Sequence, residues 1–361
     1  MESVGLEHLI NFSYWQGKKV LVTGHSGFKG WWLSQFLSLI GAKVYGLANI
    51  SSSEYLNRPF LLEDDVFDEI LLADINDKLR TSDFVAKVKP DVVFHLAAQP
   101  SVIEGHVNPI QTMETNFLGT VNLLFTLRKM TPDANIVVIT TDKVYENDSN
   151  LRPFVESDDL AVNGDPYSAS KAFADLFSCN FDSIVPRQEF SGKILVARAG
   201  NVIGGGDWLP SRLIPDCVKA VYSNQNLTLR YPNSTRPWQN ILDVIFGYIL
   251  LAQSADHDKI SSGSSFNFGP EGDTFVNSKT LCELFLEHFQ NKPKIVLIDP
   301  TFQEHANLSL NTAKSLEQLK WVPRLDIAPS LKLTADWYKA CISGASAKSN
   351  TQSQINWYLS S

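Results

Sequence analysis

Tyr167 and Lys171 stand four residues apart in the segment Pro166-Tyr167-Ser168-Ala169-Ser170-Lys171. On a helix they share one face, so an ammonium can sit beside a phenol. A tyrosine of pKa near 10 is a poor base at neutral pH. Bringing it near 7 takes about 2–3 pKa units, roughly 3–4 kcal/mol, which an ammonium and an oxidised nicotinamide would supply. The spacing alone is cheap: Tyr14 and Lys18 repeat it before the first strand, where it reads as chance. What raises the second pair is the triplet Thr141-Asp142-Lys143, which follows the apolar run Ile136 to Thr140. A hydroxyl, a carboxyl and an amine at one strand end are groups for moving protons on a small polar substrate.

Those residues need a scaffold, and the N-terminal part of the chain reads as one. Lys19 to Thr23 is an apolar strand, and Gly24, Gly27 and Gly30 follow it, interleaved with Ser26, Phe28 and Lys29. Trp31 to Leu39 then reads as a helix. A strand, a glycine turn and a helix bind a dinucleotide diphosphate because the backbone N–H groups can approach it and the helix N-terminus is positive. Lys43 to Leu47 is a second strand, and Ile70 to Ala73 a third that ends in Asp74-Ile75. Asp74 either accepts from an adenine amino group or caps the next helix. Val92 to Ala98 is a fourth strand, and its closing residues Leu96, Ala97 and Ala98 allow close approach of a ligand. Met113 to Leu127, which contains Asn116, has helical period, and Ile194 to Ala197 is a sixth strand after Ile136 to Thr140. This alternation predicts an α/β fold, a doubly wound parallel (Rossmann) sheet with ligands beyond the carboxyl ends of its strands. The position where NAD sites often carry an acid falls near Ile50, before three serines, so that rule does not settle NAD against NADP. The absence of an arginine before Arg58 leans to NAD.

Composition narrows the partners. The 361 residues are 44% hydrophobic and 19% charged with a net charge of −8, an ordinary globular balance that argues against nucleic-acid or anionic-membrane binding. Basic side chains in the later loops are then expected to serve a small anionic ligand. These are the glycine-rich stretch Arg198 to Trp208 with Asn201, the run Arg212-Leu213-Ile214-Pro215, and Thr235 to Asn240 with Arg236 and Trp238. The four isolated cysteines, an N-terminus without basic residues and the lack of a long apolar run predict a cytoplasmic protein with no membrane span. The seven histidines are dispersed, so no metal is expected. The expected division is a dinucleotide-binding domain over 1–197 with a return segment near 237–262, and a smaller interleaved C-terminal α/β substrate domain over 198–236 and 263–342. The polar stretch 343–361 is expected to be a disordered tail.

Together these pieces resemble the extended short-chain dehydrogenase/reductase family, the NAD-dependent epimerases and dehydratases. Within it they are similar to the 4,6-dehydratases that act on CDP-glucose. The resemblance runs from about Trp15 to Tyr338. It rests on GHSGFKGWW at 24–32, HLAAQP at 95–100, TTDKVYEN at 140–147, DPYSASK at 165–171, RAGNVIGGGDW at 198–208, RLIPD at 212–216, RPWQN at 236–240 and FNFGP at 266–270. The resemblance implies bound NAD, with Tyr167 taking the proton of the sugar 4-hydroxyl, Thr141 bonding the same hydroxyl, and Lys171 binding the nicotinamide ribose. It further implies that Asp142 protonates the departing 6-hydroxyl and that Lys143 is the base at C5, where sister dehydratases usually carry a glutamate. Asn201, Arg212, Arg236 and Asn267 would hold the nucleotide diphosphate, with Gln99, Leu213, Ile214 and Trp238 around the substrate. Helices beginning near Thr112 and Tyr167 would pair with those of a second subunit in a homodimer, or in a dimer of dimers.

Two stretches depart from the family pattern: Ser101 to His106, where an arginine is lost, and Glu304 to Asn311 near the C-terminus. Both lie where sugar or base would be read. Two rival readings keep the fold. An epimerase or reductase would oxidise C4 without elimination and would not need Asp142 and Lys143. A non-catalytic dinucleotide sensor would tend to have lost Tyr167 or Lys171.

Overall fold

Both residue parities of the predicted strands are apolar, and the sheet they form is covered on both faces. A computed structural model describes residues 6–50, 58–60, 62–146, 152–161, 164–185, 191–256, 259–270, 276–298 and 308–361. Its main sheet comprises β1 (Lys19–Thr23), β2 (Lys43–Ala48), β3 (Phe67–Leu72), β4 (Val92–His95), β5 (Asn135–Ile139), β6 (Ile194–Ala199) and β7 (Ser265–Phe268). The strands are all parallel, in the order β7-β6-β5-β4-β1-β2-β3. Val20, Val22, Phe94, Val137 and Leu195 point into one apolar layer, while Leu21, Val93, Ile136, Val138 and Val196 point into the other. That period-two alternation with both faces buried is what a parallel sheet between helices requires.

Helix α1 (Phe28–Leu39) covers the first face, and α2 (Lys78–Val88) and α3 (Gly119–Met130) cover the second. Helix α4 (Pro166–Cys179) runs beside α3, α5 (Leu213–Ser223) follows the glycine-rich loop, and α6 (Ile241–Gln253) returns to the α1 face. The remaining strands are short pairs outside the main sheet. Val202–Ile203 pairs with Gln239–Asn240, Thr235–Arg236 with Val276–Asn277, and Leu227–Leu229 with Ile295–Leu297.

Three details differ from the sequence reading. The strand at Phe266 to Phe268 does not belong with the substrate-binding elements: Phe266, Asn267 and Phe268 pair with Ala197, Arg198 and Ala199 as the edge of the main sheet. A four-residue strand carries no mark of its partner. The helix predicted over Met113 to Leu127 is broken by a π turn, Glu114–Leu118, which turns Asn116 inward. The polar tail is ordered: after α7 (Ser278–Leu286) and α8 (Ile327–Ile342), residues Ala347–Ser360 form a last helix, α9. Ser346 caps α9 by accepting from the Ser349 N–H, and Thr351, Ile355 and Tyr358 are buried on one face. The Trp337 indole donates to Thr351 Oγ1 at 2.7 Å, and the Tyr358 hydroxyl to Asp243 Oδ1 at 2.7 Å. The polar residues of 343–360 hide a single apolar stripe that packs on α1 and α8 and reaches α6 through Tyr358. No helix among the described residues is long and apolar enough to cross a membrane.

Candidate active site

The strand register brings three loops together. Thr23 pairs with His95, and His95 with Val138, so the glycine turn, the segment after β4 and the segment after β5 leave the sheet side by side. Gly24 has φ +73°, and a Cβ there would come within 2.7 Å of the Ala97 nitrogen, so only glycine fits. Gly27 is the N-cap of α1 and offers no side-chain acceptor, which leaves the first N–H groups of the helix open to a ligand. A cleft of about 190 Å³ lies here, walled by Gly24, Ser26, Gly27, Phe28, Lys29, Gly30, Asp74, Ile75, Leu96, Ala97, Ala98, Thr140, Tyr167 and Lys171. Asp74 is not the cap of the next helix; its Oδ1 accepts from the Asn76 N–H at 2.8 Å. Helix α2 is capped by Asp77, which accepts from the Arg80 N–H at 3.1 Å, and Asp74 faces the cleft. Leu47, Ala48 and Asn49 at the end of β2 also line it, which the sequence reading did not foresee. His95 is a core histidine between Thr23 (2.7 Å) and Thr120 (2.9 Å), held down near pKa 3 by burial.

Tyr167 belongs to this cleft and to a second, larger one of about 340 Å³. Pro166 opens α4, and Asp165 caps it by accepting from the Ser168 N–H at 2.9 Å, which sets Tyr167 in the first turn facing the end of β5. Thr141, Asp142 and Lys143 line the same larger cleft. The Thr141 hydroxyl donates to Asp142 Oδ1 at 2.9 Å and is a hydrogen-bond partner of the Tyr167 phenol. The second oxygen, Asp142 Oδ2, is buried without a hydrogen-bond partner. Burial raises the Asp142 carboxyl above its ordinary range, against the opposing pull of Lys143 and Thr141, which favours the protonated acid.

The Tyr167–Lys171 pairing differs from expectation. Lys171 Nζ donates to the Ile139 carbonyl at 3.1 Å, and burial brings its pKa down to about 8. The Tyr167 phenol is pushed up to about 12 by burial, with Arg212 pulling the other way. The shared helical face is real, but the ammonium is turned toward the sheet. Tyr14 and Lys18, the chance copy of the spacing, form a cation–π contact of 4.7 Å near the N-terminus.

Asn201, Arg212, Leu213, Ile214, Arg236 and Trp238 all line the larger cleft. Arg212 pairs with Asp207 at 2.9 Å, and the Trp238 indole donates to the Val276 carbonyl at 3.2 Å. Three expected contact residues are placed elsewhere. Asn267 is fully buried, its amide donating to the Phe154 and Asn311 carbonyls and its oxygen accepting from the Tyr145 hydroxyl at 2.6 Å. Its position in β7 turns it into the interior. Asn116 accepts from the Gln99 N–H at 2.7 Å and donates to the Gln99 carbonyl and Ser170. Gln99 donates to Thr112 at 2.8 Å, so this pair shapes the segment after β4 from behind. The cleft wall also holds Asp207 of the glycine-rich stretch and Val102 and Ile103 of the stretch expected to read sugar or base, together with Arg230 and Tyr231, which were not foreseen. Arg230 and Tyr231 follow the strand Leu227–Leu229, whose partner is 68 residues downstream in the register Leu227 to Ile295, so no local signal marks them. Ser51 to Glu54, Asn147 and Glu304 to Asn307, which entered the sequence comparison above, lie outside the described residues.

Residues 21–334 match the family model for GDP-mannose 4,6 dehydratase. The chain belongs to this family. The CDP-glucose 4,6-dehydratase of Salmonella typhimurium is 35% identical over 98% of this chain and 99% of its own length. Among solved structures, an epimerase of Methanothermobacter thermautotrophicus superposes with a TM-score of 0.79 at 25% identity, over 92% of this chain and 95% of that one. The dTDP-glucose 4,6-dehydratase of Bacillus anthracis, solved in complex with NAD, superposes with a TM-score of 0.73 at 22% identity, over 90% and 97%. Family membership and these superpositions account for the doubly wound fold.

Proposed function

We propose that the chain is a nucleotide-sugar 4,6-dehydratase that converts CDP-glucose to CDP-4-dehydro-6-deoxyglucose and water. The observation that carries this is the convergence of Tyr167, Thr141, Asp142 and Lys143 on one cleft that opens beside a dinucleotide-shaped one. The glycine cradle, the open α1 N-terminus and Asp74 at the far end suit NAD, which when bound supplies a hydride acceptor for C4 and a hydride donor for C6. The NAD bound in the Bacillus anthracis dTDP-glucose 4,6-dehydratase, which shares this fold, supports NAD as the cofactor. Tyr167, hydrogen-bonded to Thr141, takes the 4-hydroxyl proton, and the ketone formed acidifies the proton at C5. Lys143 takes that proton. Asp142, kept as the acid by burial, protonates the leaving 6-hydroxyl. An epimerase needs no acid at C6, and the buried acid therefore favours elimination. Arg212, Arg236 and Asn201 supply the cationic and amide groups for the nucleotide diphosphate.

The likeness to the Salmonella enzyme supports the cytidine nucleotide. The four free cysteines fit a reducing, cytoplasmic setting. A homodimer is supported by the apolar face that Leu118, Phe125, Phe173 and Leu176 expose on α3, α4 and the π turn between α3 and Pro109–Met113. The test offers the purified protein CDP-, dTDP-, UDP- and GDP-hexoses separately in heavy water. Loss of one water with one deuterium gained at C5, from the CDP sugar, is the expected result, and Tyr167→Phe abolishes it. Full turnover by that variant would remove the base.

A further inference from the structure

Lys29 is the second residue of α1, and its sequence position marks it for the dinucleotide diphosphate. The structure gives it a second neighbourhood. It is one of seven described residues, with Phe28, Pro100, Thr140, Tyr167, Leu209 and Arg212, that line both clefts. Among the described residues its ammonium makes no hydrogen bond and no ion pair within contact distance. The charged groups around it are Arg212 and Lys171 on the positive side, and Asp142 and Asp207 on the negative. Asp207 is already engaged by Arg212 at 2.9 Å, and Asp142 Oδ1 by Thr141 at 2.9 Å. What remains is Asp142 Oδ2, buried and, among the described residues, without a hydrogen-bond partner, with the half-buried Lys29 in the same cleft wall. A buried carboxyl oxygen left without a partner is costly unless a polar ligand completes it, and Lys29 stands in the same wall to reach that ligand.

We propose that Lys29 is a catalytic residue of the elimination, its ammonium and the free oxygen of Asp142 closing on the 6-hydroxyl of the bound hexose. The inference rests on the dehydratase reading and adds a residue to it. In the 4-keto sugar the C5–H bond breaks, the proton passes to the Lys143 amine, and the bonding pair becomes the C5–C6 double bond. The C6–O bond breaks with its electron pair on oxygen, and that oxygen takes the proton of Asp142 and leaves as water. Asp142 ends as a carboxylate. Lys29 donates a hydrogen bond to the oxygen as negative charge gathers on it and then stands beside the new carboxylate, so it is worth more late in the step than early. Burial and Arg212 hold the Lys29 pKa down to about 7, and two bound diphosphates would raise it, keeping the ammonium.

The test compares wild type with Lys29→Met and Lys29→Arg on CDP-glucose and on its 6-deoxy-6-fluoro analogue, with NAD affinity by calorimetry and thermal unfolding measured on each protein. Fluoride is a far weaker base than hydroxide and needs little help from a proton donor. Lys29→Met is expected to slow water loss about 100-fold while slowing fluoride loss no more than about fivefold. Because Lys29 also lines the dinucleotide cleft, both rates are read at saturating NAD; the melting temperature stays near wild type, and Lys29→Arg, which keeps a cation, recovers part of the rate. Equal slowing on both substrates, or a loss that tracks NAD affinity, overturns the proposal. Should Lys29→Met fail to fold, Lys29→Gln is read by the same ratio. A wild type that releases water from none of the nucleotide hexoses brings down the dehydratase reading itself. A wild type that does so beside an indifferent variant brings down only the part given to Lys29.

Discussion

Asp175→Asn should cost both stability and the high-pH side of activity. Asp175 is fully buried one helical turn after Lys171, and Arg198 of β6 grips it with Nε at 2.9 Å from Oδ2 and Nη2 at 2.6 Å from Oδ1. Thr140 adds a third bond at 2.8 Å. The same guanidinium donates to the Tyr145 hydroxyl at 2.9 Å and to the Glu156 carbonyl at 3.1 Å, tying α4 to β6 beneath the site. An asparagine keeps the shape but leaves a buried guanidinium without its counter-charge, a loss of about 3–5 kcal/mol. At a few degrees per kcal/mol, that lowers the melting temperature by about 6–15 °C. Among the described residues, Asp175 is also the charge that raises the Lys171 pKa against burial. An ammonium is lost as pH rises through its pKa, so removing the carboxylate moves that loss to lower pH. The alkaline limb of kcat/KM, expected near the lysine pKa of about 8, should therefore shift down in the variant. Calorimetry and a pH–rate profile read the two effects independently. The double variant Asp175→Asn with Arg198→Met should regain part of the stability, since no charge is left stranded. A melting temperature within 2 °C of wild type, or an unmoved alkaline limb, would refute the reasoning.

Other outcomes follow from the same packing. Ile355→Ala in α9 empties a fully buried position and should cost about 2–5 kcal/mol by urea unfolding, whereas a disordered tail would show no loss. Burial pushes the Asp243 carboxyl up to about 6, although Tyr358 and the N–H groups of Arg324 and Leu325 hydrogen-bond it. The folded chain thus holds a proton there between about pH 4 and 6 that the unfolded chain has released, and this contribution to stability falls as pH rises through that window. Asp243→Asn should remove that slope from stability measured at pH 4.5 and 7. Leu118→Glu with Phe173→Glu should turn a dimer into monomers on light scattering without lowering the melting temperature of the monomer fold, because both side chains are at least 37% exposed.

Residues 19–23, 92–95 and 135–139 announce parallel strands because burial on both faces leaves both parities apolar, and that pattern is written in the chain itself. The glycine turn is equally local: Gly24 needs a positive φ and Gly30 a close approach to the Gly24 carbonyl, and no other residue type supplies both. The pairing of Tyr167 with the Thr141 to Lys143 stretch was legible for the same reason, since one follows a helix cap and the other ends a strand. What the sequence could not determine is which distant surfaces meet. Asn267 looks like a ligand contact until β7 joins β6 and turns it inward. Residues 343–360 look too polar to fold until α8 offers Trp337 and α6 offers Asp243. Lys29 reads as a cofactor residue until the two clefts are seen to share a wall. Periodicity reports how polar each face of an element is, whereas the partner that face meets is settled by packing between segments far apart in the chain, and only the folded molecule contains that choice.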